Sequence, residues 1–461
     1  MPKAVLRNSC KRILSVMALT LITGASLAQF GPPGGQRQFR GTPVTPEAVP
    51  LPDSWALVAG PGPMYVSDQS HTPGYTPSDF GYQALEYFIS GTANDEPYTT
   101  RVVIRRPGND ADYTGLVLAE SMHGSGSAHM FEFSAVYLMD AGHIAVEIQT
   151  TSPQLQQEFN SARYEALDIR NGQANDILGQ VGALIKSADG PMGDLGVRKM
   201  VLGGTSMSAG TLINYLADHP RFRTPDMQHI YDGYFPTSTG SDVPRVDVPV
   251  IEMPTQLEVQ SNVTRRNDGD APGNQFRLYE FTGIGHVDAR DNVRLLPNPC
   301  ANPLSTIPSQ AYWSVSLHHL LGWVDEGIVP PRADRVWLDR NVENDGSQMV
   351  LDELGNPVGG IRSPYVDVPT AVYTAGNVAA DPLPDEVSAY VQANGAQGAA
   401  IMCRLSNYQY SFDSEKLEDL YGSQRNFREE FEERLDELEA GGWSLPLYRE
   451  FILADAAAID F

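Results

Sequence analysis

The segment Gly203 to Gly210, GGTSMSAG, places two serines between an apolar run, VRKMVL, and a segment typical of a helix, TLINYLADHP. A serine nucleophile can be held in a sharp turn between a strand and a helix if the residues two before and two after it are small. Ser206 and Ser208 both satisfy this rule. We favour Ser206, because the strand is predicted to end at Gly204 and Ser208 would already lie in the first turn of the helix. The alternative is that Ser206 is only an N-cap.

A serine nucleophile needs a base, and His286 is the best placed of the nine histidines. It follows the apolar segment FRLYEF in a glycine-containing loop, FTGIGHVDAR. The other histidines precede Ser206, lie between its helix and the next predicted strand, or belong to a predicted helix. The expected chain order is nucleophile, acid, histidine, and His286 fits it in a loop directly after a predicted strand. We therefore predict that His286 takes the proton of the Ser206 hydroxyl.

A carboxylate is needed to orient the imidazole and to stabilise its charged form. Glu258 is the first carboxylate after the predicted strand VDVPVIEMP, and it is the predicted acid. Asp288, two residues after His286, is the alternative, although we expect it to brace the histidine loop by hydrogen bonding. Glu252 lies inside the strand, where we expect it to face a helix or to pair locally.

The developing oxyanion needs two backbone N–H donors. One is expected from Met207, the residue after the nucleophile. The other is expected from the loop SMHGSGSAH that follows the apolar segment GLVLAE, where Met122, His123 and Gly124 all remain candidates.

These residues must be positioned by a larger framework, and apolar segments typical of strands alternate with helical patterns along the chain. This alternation predicts an α/β fold with a mostly parallel central sheet and helices on both faces. The hydrolytic core is predicted over residues 48–331, with a helical and loop-rich C-terminal extension over 332–461. In the extension, apolar residues recur at helical spacing, which predicts one helix near 415–442 packed on the core. The segments predicted as strands are 99–107, 115–120, 141–150, 197–204, 230–236, 246–254 and 276–283, and the helices of the core follow Ser206 or span 174–188 and 309–327.

The first 28 residues have a basic start, an apolar middle and a small-residue end, Ser26-Leu27-Ala28, which is typical of a secretory signal. Their apolar stretch is shorter than the roughly 20 residues of a membrane-spanning helix, so the alternative of an anchor is disfavoured. Residues 29–47 are rich in glycine and proline and are predicted to form a flexible tail. The sequence therefore predicts a secreted or periplasmic protein.

Composition excludes some partners and predicts one covalent link. The formal charge of −25 disfavours nucleic acid and anionic membranes as partners. After signal removal only Cys300 and Cys403 remain, and in an oxidising compartment they are predicted to form a disulfide. Two separate buried thiols are the alternative. No zinc or nucleotide-binding motif is present, so we expect no metal and no cofactor.

The chain resembles the alpha/beta hydrolase domain family, a group of secreted bacterial serine hydrolases. That family carries a G-x-S-Q-S-G turn, which matches Gly204, Ser206 and Ser208, whereas Met207 and Ala209 depart from it. It also carries a T-E-T-D-like segment, here Thr255 to Glu258, with glutamate in place of aspartate. The resemblance covers most of the mature chain, including YLMDAGHIAVEIQT, PNPCANP, GGIRSPYVDVPTA and LYGSQRNFREEFEERLDELEAGGWSLP.

The resemblance implies a serine hydrolase fold and no particular substrate. With the residues above, it leads us to expect cleavage of a small-molecule or polymeric carboxylic ester through an acyl-enzyme. A peptidase or amidase with the same residues, and a secreted binding protein that has lost activity, are the alternatives. The sequence does not predict the oligomeric state.

Overall fold

The computed structural model describes residues 44–72, 74–261, 264–339 and 348–461. The predicted signal, residues 1–28, and residues 29–43 of the predicted tail lie outside this part of the chain. Glu47, which the sequence places in the tail, belongs to a short strand, and its N–H donates to Arg221 O at 2.8 Å. Residues Thr45–Phe461 form one compact unit.

The strands of the described residues are numbered in chain order. They are β1 Glu47–Ala48, β2 Ser54–Leu57, β3 Tyr82–Ala93, β4 Glu96–Pro107, β5 Leu116–Ser121, β6 Ile144–Ile148, β7 Lys199–Thr205, β8 Phe222–Arg223, β9 Gly233–Thr237, β10 Val250–Glu252, β11 Phe276–Leu278, β12 Leu338–Asp339, β13 Gln348–Met349, β14 Ala371–Ala375 and β15 Asn407–Ser411.

The helices are numbered in the same way. They are α1 His129–Asp140, α2 Gln154–Phe159, α3 Ser161–Tyr164, α4 Ala174–Lys186, α5 Met207–Tyr215, α6 Gln256–Gln260, α7 Ser309–Glu326, α8 Pro364–Asp367, α9 Ala389–Leu405, α10 Ser414–Tyr421, α11 Gln424–Ala440 and α12 Arg449–Ala458. Within the described residues, no helix combines the length and the apolar character needed to cross a membrane.

Nine strands form the central sheet, in the order β11-β10-β9-β7-β5-β6-β4-β3-β2. The six strands from β11 to β6 run parallel, and the pairs β6–β4, β4–β3 and β3–β2 are antiparallel. The predicted mostly parallel sheet is confirmed. Since the carboxyl ends of parallel strands meet at one edge, the loops after β5, β7, β9, β10 and β11 lie along the same side of the molecule.

Alternate residues of the central strands bury into two separate apolar clusters. Leu118 and Val201 pack in one cluster with residues of α1 and α7. Val117 and Leu202 pack in the other cluster with residues of α4 and α5. Because successive side chains of a strand point to opposite faces, these clusters lie on the two faces of the sheet. The predicted helices on both faces are confirmed.

The antiparallel side of the sheet contains a hairpin that the sequence analysis missed. Strands β3 and β4 pair along their whole length and are joined by Asn94 and Asp95. Both residues have positive φ angles, 51° and 59°, as two-residue hairpin turns require. Only the second strand of this hairpin was predicted.

The predicted single helix near 415–442 is wrong, because the structure contains two helices there. Helix α10 ends at Tyr421, and the following residue, Gly422, has a left-handed φ of 71°. Helix α11 then begins after Ser423, whose side chain accepts the N–H of Asn426. Phe427 and Phe431 of α11 bury in the same cluster as Trp313 of α7, so this region shares the core of the sheet.

Candidate active site

Ser206 occupies a strained turn between β7, which ends at Thr205, and α5, which begins at Met207. Its φ and ψ angles are 53° and −118°, a conformation that a non-glycine residue rarely adopts. Ser206 stands at the N-cap position, yet its side chain makes no capping hydrogen bond. A Cβ at Gly204 would lie 2.5 Å from Ser208 O, which explains the need for a small residue there.

Ser208 has a different environment from Ser206. It is buried, and its Oγ donates to Thr205 O and accepts the Thr205 N–H, both at 2.9 Å. Ser206 is half-buried at the surface of the turn. Ser208 therefore stabilises the turn, and Ser206 is the more exposed of the two serines.

The structure brings His286 and Glu258 into direct contact. His286 Nδ1 donates to Glu258 Oε1 at 2.6 Å. The other carboxylate oxygen accepts the N–H and the hydroxyl of Thr255, at 2.9 and 2.5 Å. Burial alone would raise the pKa of Glu258, but the hydrogen bonds from His286 and Thr255 outweigh it and lower the pKa. Glu258 is therefore charged and held in a fixed position beside the imidazole.

The two other carboxylates considered from the sequence lie apart from this contact. Asp288 Oδ1 accepts the N–H of Arg290 at 3.1 Å, and burial raises the pKa of Asp288 to about 7. Glu252 is buried, and its Oε1 has no hydrogen-bond partner among the described residues. Asp288 thus braces the histidine loop, and Glu258 is the carboxylate that bonds the His286 ring.

The end of β9 links the serine turn to the histidine loop. The N–H of Ser206 donates to Thr237 O at 3.1 Å. The next residue, Ser238, has a φ of 47° and donates its hydroxyl to His286 O at 3.1 Å. Two adjacent residues therefore hold Ser206 and His286 at the same edge of the sheet.

The C-terminal region also holds the histidine loop. Val287 N–H donates to Leu405 O at 3.2 Å, and the Asn407 side chain donates to Gly283 O at 2.7 Å. Cys403, two residues before Leu405, forms a disulfide with Cys300, so the predicted bond is present. The sequence analysis missed Ser238, Leu405 and Asn407, because hydroxyl, amide and backbone contacts between distant segments leave no local pattern.

The loop after β5 contains the three candidate donors for an oxyanion. Met122 N–H donates to Ile148 O at 2.8 Å, and His123 N–H donates to Ser127 O at 2.9 Å. Among the described residues, the Gly124 N–H has no backbone acceptor. A Cβ at Gly124 would lie 2.7 Å from Met207 Cε, so this loop reaches the residue that follows Ser206.

The His123 ring is held in one orientation beside the site. The Ser125 N–H donates to its Nδ1 at 3.1 Å, so this nitrogen carries no proton. Burial, followed by the charges of His129, His286 and Arg294, lowers the pKa of His123 to about 3. The His123 ring is therefore neutral near pH 7.

A family model described as an alpha/beta hydrolase domain matches residues 58–454. A dienelactone hydrolase from Anabaena variabilis ATCC 29413 is 18% identical over 38% of this chain and 74% of its own, with a TM-score of 0.25. A serine hydrolase without lid from Xanthomonas campestris is 13% identical over 42% of this chain and 82% of its own, with a TM-score of 0.27. A bacterial heroin esterase is 14% identical over 34% of this chain and 44% of its own, with a TM-score of 0.24. A comparison with curated proteins finds no match.

Proposed function

Because the family model spans residues 58–454, the chain belongs to the alpha/beta hydrolase domain family, and we propose that it is a secreted serine hydrolase that cleaves carboxylic esters. The observation that carries this proposal is the strained Ser206, whose side chain is not used for capping, next to the loop of the His286–Glu258 pair. Strain at a serine between a strand and a helix exposes its hydroxyl at the edge of the sheet.

In the proposed reaction, Ser206 Oγ attacks the ester carbonyl carbon. His286 Nδ1 is bonded to Glu258, so Nε2 is the nitrogen that takes the serine proton. The charge of Glu258 stabilises the imidazolium that results. The imidazolium then gives this proton to the leaving alcohol, and an acyl group remains on Ser206. Water, activated by the same nitrogen, releases the carboxylic acid and restores the serine.

The tetrahedral intermediate would be stabilised by the N–H groups of Met207 and Gly124. Met207 is the first residue of α5, where the helix dipole favours negative charge. Gly124 is retained from the sequence candidates, because the N–H groups of Met122 and His123 already donate to backbone carbonyls. Met207 is 59% exposed, and Gly124 is also exposed, so a substrate can approach the turn from solvent.

Export to an oxidising compartment is part of the proposal. The basic and apolar first 28 residues support it, and the disulfide between Cys300 and Cys403 fits it. We propose a small-molecule or polymeric ester as the substrate, and neither nucleic acid nor a membrane as a partner.

Paired substrates test the reaction class. The chain without its signal is assayed with p-nitrophenyl esters and with p-nitroanilides of the same acyl groups. We expect ester turnover that Ser206→Ala lowers by several orders of magnitude. Faster turnover of the anilides than of the esters would show that the chain is an amidase and not an esterase. A folded chain that cleaves neither series would favour a binding protein.

A further inference from the structure

Three side chains that the proposed reaction does not use converge away from Ser206. His219 Nε2 lies 2.6 Å from one carboxylate oxygen of Asp247, and His229 Nε2 lies 3.6 Å from the other. One ligand atom from each residue lies within 4.8 Å of the other two. The two imidazole rings stack with their centroids 5.0 Å apart and their planes 7° apart, so both rings face the same carboxylate side by side.

We propose that His219, His229 and Asp247 bind one Zn²⁺ ion. Two imidazole nitrogens and a carboxylate oxygen are common zinc ligands, and a water molecule would complete a tetrahedron. Zinc–ligand bonds of about 2.0–2.2 Å place tetrahedral donors roughly 3.3 Å apart. The separations of 2.6 and 3.6 Å between the imidazole nitrogens and the Asp247 oxygens lie on either side of this value, and the three ligand atoms lie within 4.8 Å of one another, so small side-chain rotations would suffice to bind one ion.

The surroundings of the cluster fix the imidazole of His219 for this role. Its Nδ1 lies 2.7 Å from the Tyr234 hydroxyl, which leaves Nε2 to face Asp247. A hydrogen bond to the second ring nitrogen is the usual support of a metal-binding histidine. The His219 side chain is only 3% exposed, whereas that of Asp247 is 55% exposed. The site therefore combines a rigid buried ligand with an open side through which an ion can enter.

The place of the cluster in the fold indicates a structural role. His229 and Asp247 precede β9 and β10, at the amino ends of these strands, whereas Ser206 contacts the carboxyl end of β9. His219 follows α5, whose nine residues span about 14 Å from the Ser206 end. A bound ion would join three connections on the side of the sheet away from the reaction. The spacing of the three residues matches no zinc motif, which is why the sequence analysis expected no metal.

Zinc binding is measured on the full mature chain after treatment with a chelator. Zn²⁺ alone is titrated by calorimetry, and the melting temperature is recorded with and without one equivalent. We expect one Zn²⁺ per chain and a higher melting temperature in its presence. His229→Ala and Asp247→Asn should each weaken binding more than tenfold and abolish the increase in melting temperature. His219 is left unchanged, because its bond to Tyr234 supports the fold.

The matched control is Asp194→Asn, which removes an exposed carboxylate outside the cluster and should leave zinc binding unchanged. Absence of stoichiometric binding, or equal binding by the cluster variants and the control, would show that the three residues form only a hydrogen-bonded group. Binding is read without substrate, so the result is independent of whether the chain hydrolyses esters.

Discussion

Glu258 contacts His286 through one carboxylate oxygen and Thr255 through the other, so a short helix that begins after Thr255 carries the acid to the imidazole. Glu258→Gln preserves the shape and removes the charge. We predict that turnover falls by roughly 10²- to 10⁴-fold, because the imidazolium loses its stabilising partner. Steady-state kinetics measure this loss, and circular dichroism confirms that the variant is folded.

Asp288→Asn is the matched control for the acid. Asp288 accepts an N–H within its own loop, so its substitution should lower turnover much less. If Asp288→Asn were the more damaging change, with both variants melting like the parent, Asp288 would be the acid.

Gly124→Ala tests the loop proposed to stabilise the oxyanion. The added Cβ would lie 2.7 Å from Met207 Cε, the end of a flexible side chain, so the fold should survive. Displacement of the Gly124 N–H should lower kcat by up to about 10²-fold with little change in KM. In the double variant with Met207→Ala the clash is removed, and kcat should recover. Equal kcat in the Gly124→Ala variant and the parent would exclude Gly124 as a donor.

Loss of the disulfide should affect both stability and activity. The cysteines are 103 residues apart, for which chain-entropy models give a stabilisation of about 4–5 kcal/mol. The double variant Cys300→Ser/Cys403→Ser should lose up to this free energy of unfolding, measured in urea. Turnover should fall as well, because Cys403 precedes the Leu405 carbonyl that holds the histidine loop. Unchanged stability and turnover would contradict both expectations.

Glu252 predicts a pH dependence of stability between the pKa of its unfolded state and the higher pKa of its folded state. Burial, and then the nearby Asp242, raise its pKa from 4.5 to about 8. The folded chain therefore keeps a proton that the unfolded chain has released, and this contribution to stability is lost as the pH rises towards 8. Between pH 5 and 8 the melting temperature of the parent should fall because of this proton and then level off, and that of Glu252→Gln should fall less. Glu120, with a pKa also raised to about 8, and Asp288, with a pKa raised to about 7, leave a remaining slope in the variant. Parallel curves for the parent and Glu252→Gln would refute this assignment.

The parallel half of the fold could be predicted because its strands and helices are apolar and alternate along the chain. The β3–β4 hairpin was missed, although Asn94-Asp95 is a turn signal, because β3 mixes polar and apolar residues. The helix near 415–442 was predicted as continuous, because apolar spacing persists across Gly422, whereas the left-handed glycine and the Ser423 cap break it.

The contact of Glu258 with His286 agrees with the sequence order, and Thr255-x-x-Glu258 is itself a capping-box pattern. What the sequence could not provide is the path of backbone contacts between distant segments. Leu405 holds the histidine loop through its carbonyl, which any residue type supplies, and the Ser238 hydroxyl bonds a backbone carbonyl of a residue 48 positions away. The choice among Met122, His123 and Gly124 also depended on which N–H groups were already bonded.

The central claim is that Ser206 is the nucleophile, and covalent labelling tests it most directly. The mature chain, Ser206→Ala and Ser208→Ala are treated with a fluorophosphonate probe, and the modified peptide is identified by mass spectrometry. We predict that the parent and Ser208→Ala are labelled at Ser206 and that Ser206→Ala is not labelled. Labelling of Ser208, or an unlabelled parent that is folded, would contradict the account.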